Sequence, residues 1–211
     1  MSEITLREKV YDQLRELIIY GDLKPGEYLT ERALAEKMQV SRTPIRSAIE
    51  RIEADGLVSY TPNRGMIIAE VSINKVVDFF ELRSIIESHV VRKLASRSKS
   101  SEDFKWLQDN LESQKVFVEQ KDYISFTKAD SEFHRKLVQT YGNGEMIQIM
   151  EKLQDRLFQL ALNVLKKDNE RICASYEDHR SILNYIMEGN GEEAAQKIVQ
   201  HLEFGKQILI L

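Results

Sequence analysis

Apolar residues recur at three- and four-residue intervals along most of this chain, and that period gives way to two short β-type runs only near residues 57–69. Leu6, Val10, Leu14, Leu17 and Ile18 lie on one face of a helix over residues 5–20, ended by Gly21 and then Pro25-Gly26. Thr30 is placed to cap a second, short helix through Met38. Beyond the step Gln39-Val40-Ser41 a third begins: Ser41 can cap it, and Pro44 falls in its first turn, where a missing N–H costs nothing. Ile45, Ala48, Ile49 and Ile52 face a core, and the helix stops at Asp55-Gly56. That spacing leaves Arg42, Thr43 and Arg46 on the solvent side near the helix start, as in a recognition helix that meets DNA. Two helices joined by a tight turn after a first one make the helix-turn-helix order. Residues 57–60 and 66–69 then flank Thr61-Pro62-Asn63-Arg64-Gly65, a hairpin whose tip carries a cation, Arg64, and a glycine, Gly65, and which reads as a wing.

From residue 72 to the end the period is helical throughout, with breaks near residues 98–101, 120–121, 142–144, 166–168 and 189–191. Six helices follow, each with an apolar stripe. They can bury one common core as a bundle rather than as a repeat array, because no fixed sequence period is present. The fold class expected is mainly α: a winged helix-turn-helix over residues 1–70 and an all-α bundle over residues 73–211.

Composition changes this picture little. At 211 residues, 42% apolar, with 3 Pro and 9 Gly, the chain is globular rather than disordered. The single cysteine, Cys173, cannot form an internal disulfide, and the start MSEITLREKV lacks the apolar segment of an export signal, so the cytoplasm is the expected location. No apolar run approaches the roughly 20 residues that span a bilayer; residues 158–165 are interrupted by Gln159 and Asn163. Net charge does not announce a nucleic-acid partner, since residues 1–70 hold ten Lys and Arg against twelve Asp and Glu. Locally the sign reverses: Lys37, Arg42, Arg46 and Arg51 face only Glu50 over residues 37–51, a surplus of +3 that could meet phosphates.

The chemistry sits on the apolar stripes of the C-terminal part. Over residues 122–140, Phe126, Phe133 and Leu137 share a face with Asp130 and His134, which are four apart and therefore neighbours. The next-to-last helix carries the stripe Ile172, Tyr176, His179, Leu183, Ile186, and the last carries Ala194, Ile198, His201, Gly205, Ile208. A carboxylate facing inward with three imidazoles would cost several kcal/mol unless compensated, and a divalent metal would compensate it. One oxygen and three nitrogens suit Zn, Ni, Mn or Fe(II), with zinc the first expectation. The alternative is a set of ordinary hydrogen-bonded core residues; His89 lies off the pattern and is structural. The helix over residues 73–95 has its stripe of Val76, Phe80, Val90 and Leu94 interrupted by Arg83 and Glu87. They form either an intrahelical ion pair on a partly exposed face or a site in which the Arg83 fork meets an anionic ligand near the metal.

These residues match a family pattern. Leu23-Lys24-Pro25-Gly26, Leu29 with Glu31, Leu34-Ala35, Val40 through Arg46, Leu57-Val58 and Asn63-Arg64-Gly65 resemble the GntR family of bacterial transcription regulators. Glu81-Leu82-Arg83, Glu87, Asp130, Phe133-His134, Glu177-Asp178-His179-Arg180 and His201-Leu202 resemble the FCD ligand-binding domain of its FadR subfamily. The resemblance implies a regulator, acting as a repressor, that binds a short palindromic double-stranded operator as a homodimer. It places Arg32, Arg42 and Arg46 at DNA-contacting positions and Gly65 at the wing tip, with Ser41, Thr43 and Arg64 beside them. It also implies that Asp130, His134, His179 and His201 hold a metal, which with nearby groups such as Arg83 and Glu87 binds a small organic-acid effector. Asp178 in place of Glu and Ile45 in place of Val are mild departures. The alternatives are a metal-dependent enzyme acting on a small carboxylate, or a DNA-binding protein whose metal is only structural. An enzyme lacks an obvious general base other than Glu87, which Arg83 can pair, and neither a nucleophile elbow nor a phosphate-binding glycine loop is visible.

Overall fold

The computed structural model describes residues 5–62, 64–97 and 101–211, without the side chains of residues 101–103. Asn63 of the hairpin tip and the break at residues 98–100 lie outside the described residues. The chain divides into two compact units, residues 1–71 and 72–211. No helix among the described residues is long and apolar enough to cross a membrane.

In the first unit, α1 (Leu6–Ile19) starts at a reciprocal cap, in which Thr5 accepts from the Glu8 N–H and the Glu8 carboxylate accepts from the Thr5 N–H. Val10, Leu14, Ile18 and Ile19 are buried. Leu6, expected on that face, is exposed, because it occupies the first turn, beyond the reach of the core. After β1 (Tyr28–Leu29), Thr30 caps α2 (Glu31–Met38), which ends at Gln39 in the left-handed conformation. The recognition-type helix is α3 (Arg42–Ala54); Ser41 takes the N-cap backbone conformation but its side chain makes no capping hydrogen bond, contrary to its expected role. Ile45, Ala48, Ile49 and Ile52 form the buried stripe.

β2 (Val58–Thr61) and β3 (Gly65–Ile68) form the hairpin, and β1 adds a third strand in the order β1-β3-β2, all antiparallel. The two-residue β1 is too short to show a periodicity and is defined by its pairing with β3. Gly65, read as the wing tip, is the first residue of β3 and pairs with Thr61. Its φ is +129°, and a Cβ there would stand 2.5 Å from the Leu29 carbonyl oxygen on β1.

The second unit is α4 (Ile73–Ala95), α5 (Ser101–Gln120), α6 (Tyr123–Tyr141), α7 (Gly144–Lys167), α8 (Arg171–Glu188) and α9 (Gly191–Ile210). α4 packs along α9, and α5 with α6, α6 with α7, and α8 with α9 are further neighbours. Gly191 allows close approach of α9 to α4, since a Cβ there would lie 3.0 Å from the Arg92 carbonyl oxygen. The stripes on α4, α6, α8 and α9 meet in one interior, and the polar residues they carry are buried with them. His89 meets Tyr141, its ring nitrogen 3.2 Å from the hydroxyl.

Gly65→Ala is expected to destabilise the N-terminal unit by about 1–3 kcal/mol, because the Cβ clash and the positive φ act together. Denaturant unfolding monitored by circular dichroism reads this out, and an unchanged transition midpoint would show that the strand junction absorbs a methyl group.

Candidate functional site

In the first unit, the expected DNA-facing residues fall into two groups. Ser41, Arg42, Thr43 and Arg64 are exposed. Arg32 and Arg46 are tied to carboxylates. Arg32 Nε donates to Glu36 Oε1 at 2.8 Å on an open surface. Arg46 binds Glu31 side-on, Nε to Oε1 at 3.2 Å and Nη2 to Oε2 at 3.1 Å, while the Tyr60 hydroxyl donates to the same Oε1. The hydrogen bonds from Arg46 and Tyr60 hold the Glu31 carboxyl below the usual carboxylate range. The surplus of +3 read from residues 37–51 is therefore smaller in space, because Glu31, outside that window, pairs Arg46; Arg51 keeps its charge and stacks over the Tyr11 ring at 3.8 Å. Tyr28 secures the wing by donating its hydroxyl hydrogen to the Arg64 carbonyl.

In the second unit, Asp130 and His134 on α6, His179 on α8 and His201 on α9 converge. Each offers one ligand atom, and these atoms all lie within 4.8 Å of one another, in side chains that are all buried. His179 Nε2 stands 3.3 Å from His201 Nε2 and 3.5 Å from Asp130 Oδ1. What turns the nitrogens this way is the other edge of each ring. His134 Nδ1 lies 2.5 Å from Glu87 Oε2, His179 Nδ1 lies 2.8 Å from Gln114 Oε1, and His201 Nδ1 lies 3.1 Å from Asp178 Oδ2. The oxygens facing His134 and His179 only accept, so each of those rings, when neutral, carries its proton on Nδ1 and aims the Nε2 lone pair inward, whereas His201 Nδ1 also lies 3.2 Å from the Arg171 Nη2 donor.

The Gln114 amide is itself oriented, because its Nε2 donates to Asn110 Oδ1 at 2.7 Å and Asn110 Nδ2 donates to the Ala129 carbonyl at 3.1 Å. The Phe133 ring stacks on His179 with centroids 4.5 Å apart. His134 Nε2 is buried without a hydrogen-bond partner. Lone pairs that face one another beside a carboxylate, with one orphaned nitrogen among them, repel unless a cation lies between them, and this donor set fits a divalent metal ion.

Arg83 and Glu87 form the expected intrahelical pair, Nε to Oε1 at 2.8 Å, but buried rather than partly exposed. Burial opposes ionisation of Glu87, yet Arg83 and His134 outweigh it and hold its carboxyl down at about 2. Both Glu87 oxygens are thus spent inside the protein, and Glu87 orients His134 rather than lining the cavity beside the cluster. That cavity has a volume of about 40 Å³ and is bounded by Arg83, Asp130, His201, Thr127, Ser175 and Arg171, among apolar walls. Gln114, Asn110, Arg171 and Ser175 escaped the sequence reading. The only available signal was the i,i+4 spacing of Asn110 and Gln114, which is common on exposed helices too.

His179 and His201 are both pushed below the ordinary imidazole value, first by burial and then by the neighbouring histidines, with the Asp178 hydrogen bond partly opposing this at His201. An unfolded chain takes up protons below pH about 6.5 that these folded rings refuse. The stability of protein kept metal-free with chelator should therefore fall as pH drops below that value, by up to about 1.4 kcal/mol per pH unit for each ring. Melting curves between neutral pH and pH about 5 test this, and a flat profile would contradict it.

Comparison with known proteins identifies both units. Residues 6–68 match the model described as bacterial regulatory proteins, gntR family, and residues 78–204 match the FCD domain. The chain is similar to the HTH-type transcriptional repressor RspR of Escherichia coli (strain K12), 25% identical over 94% of this chain and 86% of that protein. It is similar also to the Nta operon transcriptional regulator of Aminobacter aminovorans, 28% identical over 85% and 83%. In fold it resembles a putative GntR transcriptional regulator from Rhodococcus sp. RHA1, with a TM-score of 0.80 at 22% identity over 96% and 97% of the two chains. The family is one of transcription regulators, so a catalytic role for the buried cluster is set aside. With a helix-turn-helix unit ahead of an FCD domain, this chain belongs to the GntR family of DNA-binding transcription regulators.

Proposed function

We propose that this regulator acts as a repressor: as a homodimer it binds a palindromic operator through α3 and the wing, and a small organic acid held beside a metal ion in the FCD domain alters that binding. The observation that carries the effector half is the convergence of three imidazoles and the Asp130 carboxylate at the wall of a cavity that also presents the Arg83 guanidinium. Asp130, His134, His179 and His201 would hold the ion, with zinc the first candidate and Ni, Mn or Fe(II) compatible with the same donors. The bound ion supplies a Lewis-acidic contact for carboxylate or hydroxyl oxygens of the effector. Arg83, fixed through Nε by Glu87, keeps its Nη groups for a carboxylate. A purely structural ion would not need a cationic cavity at its side, which favours a sensor.

For the operator half, Ser41, Arg42, Thr43 and Arg46 stand at the start of α3, and Arg32, Arg64 and Gly65 stand nearby in sequence on α2 and the wing. The side-on pair with Glu31 occupies Nε and Nη2 of Arg46 and leaves Nη1 for DNA. Signalling follows from differential affinity: an acid that binds one arrangement of the FCD helices better shifts the population toward it. α4 carries Arg83 and Glu87 and begins within a few residues of the end of β3, so the effector pocket and the wing are joined by a short stretch of chain.

His134→Ala should remove most bound metal, from about one ion per chain, while leaving the fold intact; elemental analysis of purified protein reads this, and full metal content in the variant would refute the ligand role. Arg46→Ala should weaken binding to an operator selected from random duplexes by about 1–3 kcal/mol and relax base preference at one position. Fluorescence anisotropy with matched and mismatched duplexes measures both, and unchanged binding would take Arg46 out of the interface.

A further inference from the structure

We infer that Glu31, backed by Tyr60, is a positioning residue for operator recognition: it holds the Arg46 guanidinium back from DNA phosphates, so that Arg46 adds to affinity only where a base presents an acceptor in line with Nη1. This rests on the reading of Arg46 as a DNA-facing residue. Glu31 is the first residue of α2, with a side chain only 10% exposed against 50% for Arg46. Both of its oxygens are engaged. Oε1 accepts from Arg46 Nε at 3.2 Å and from the Tyr60 hydroxyl, and Oε2 accepts from Arg46 Nη2 at 3.1 Å. Tyr60 is itself anchored to α3, where Glu53 Oε1 accepts from its backbone N–H at 2.7 Å. Arg32 provides the contrast: its partner Glu36 lies one turn along the same helix, and both side chains are largely exposed, so that pair is loose and screened by salt.

An arginine at the start of a recognition helix meets phosphates on every sequence, and each phosphate it neutralises raises affinity for operator and bulk DNA alike. A guanidinium on a flexible stem takes the nearest one. For Arg46 that move breaks two hydrogen bonds and strands a carboxylate that is almost out of solvent, with a single phenol left to satisfy it, whereas an exposed contact to a phosphate returns little. An acceptor on a base edge in line with Nη1 is met with the pair intact. The carboxylate also sets a negative charge beside the guanidinium, which weakens its pull on phosphates beyond hydrogen-bond range. Specificity is a difference between two affinities, and this cluster widens it by lowering the unwanted one. The Tyr60 hydroxyl contributes without carrying charge: removing it leaves Oε1 with one donor and loosens the clamp, while every charge stays in place.

The test is a fluorescence anisotropy titration of full-length protein, over a salt series, with an operator duplex selected from random sequence and a scrambled duplex of the same composition. Tyr60→Phe and Glu31→Asp, which both conserve charge, should bind the scrambled duplex about two- to fivefold tighter and cut the preference for operator at least about threefold. Glu31→Gln should do the same and steepen the slope of log affinity against log salt on the scrambled duplex by about 0.9, the increment for one more phosphate neutralised. Equal weakening on both duplexes with an unchanged salt slope would make the cluster a matter of folding alone, and an effect confined to Glu31→Gln would make it a simple loss of negative charge; either result overturns the inference. Arg46→Ala separates the two readings. If it leaves both duplexes bound as before, Arg46 is not at the interface and the underlying reading falls with the inference. If it weakens operator binding while the charge-conserving variants leave the preference unmoved, only the inference falls. Where a Glu31 variant fails to melt cooperatively, Tyr60→Phe decides, because it removes a single hydroxyl group.

Discussion

A carboxylate or amide oxygen can only accept a hydrogen bond, and the core of the C-terminal unit depends on that limit. Glu87 and Gln114 each present such an oxygen to the Nδ1 of one histidine and thereby fix which nitrogen carries the proton and which carries the lone pair, while Asp178 and Arg171 together hold the Nδ1 edge of His201. The consequence is collective. Three rings from α6, α8 and α9 aim their Nε2 atoms at one point beside Asp130, and helices with no sequence proximity are committed to a shared centre.

That commitment makes the interior electrostatically demanding. Buried carboxylates at Glu87 and Asp178 stay ionised because arginines and histidines stand against them, and burial first, then the neighbouring histidines, pushes the His179 and His201 imidazoles toward the neutral form. Breaking any one pair leaves a partner stranded, which is more costly than never having buried the pair.

The N-terminal unit uses an ion pair differently. Glu31 on α2, Arg46 on α3 and Tyr60 on β2 form one partly buried cluster that fixes the three elements of the winged helix relative to one another. Arg46 is half exposed, with its charge partly answered before any DNA arrives. Arg42 and Arg64 are exposed.

Much was legible in the sequence, and for definite reasons. Helical periodicity placed the arginines of α3 on the outside and Asp130, His134, His179 and His201 on apolar stripes, because a side chain's face follows from its position along a regular helix. Caps and glycines set most element ends for equally local reasons. Local rules failed where a partner comes from elsewhere in the chain. β1 exists only because β3 pairs with it, and Ser41 does not cap although its position invites it. Gln114 and Arg171 matter through a histidine and a cavity that lie far away in sequence. Periodicity fixes direction about one helix axis but says nothing about which axes come together; only tertiary packing decided that Glu87 turns to His134, that Glu31 answers Arg46, and that two arginines share one pocket.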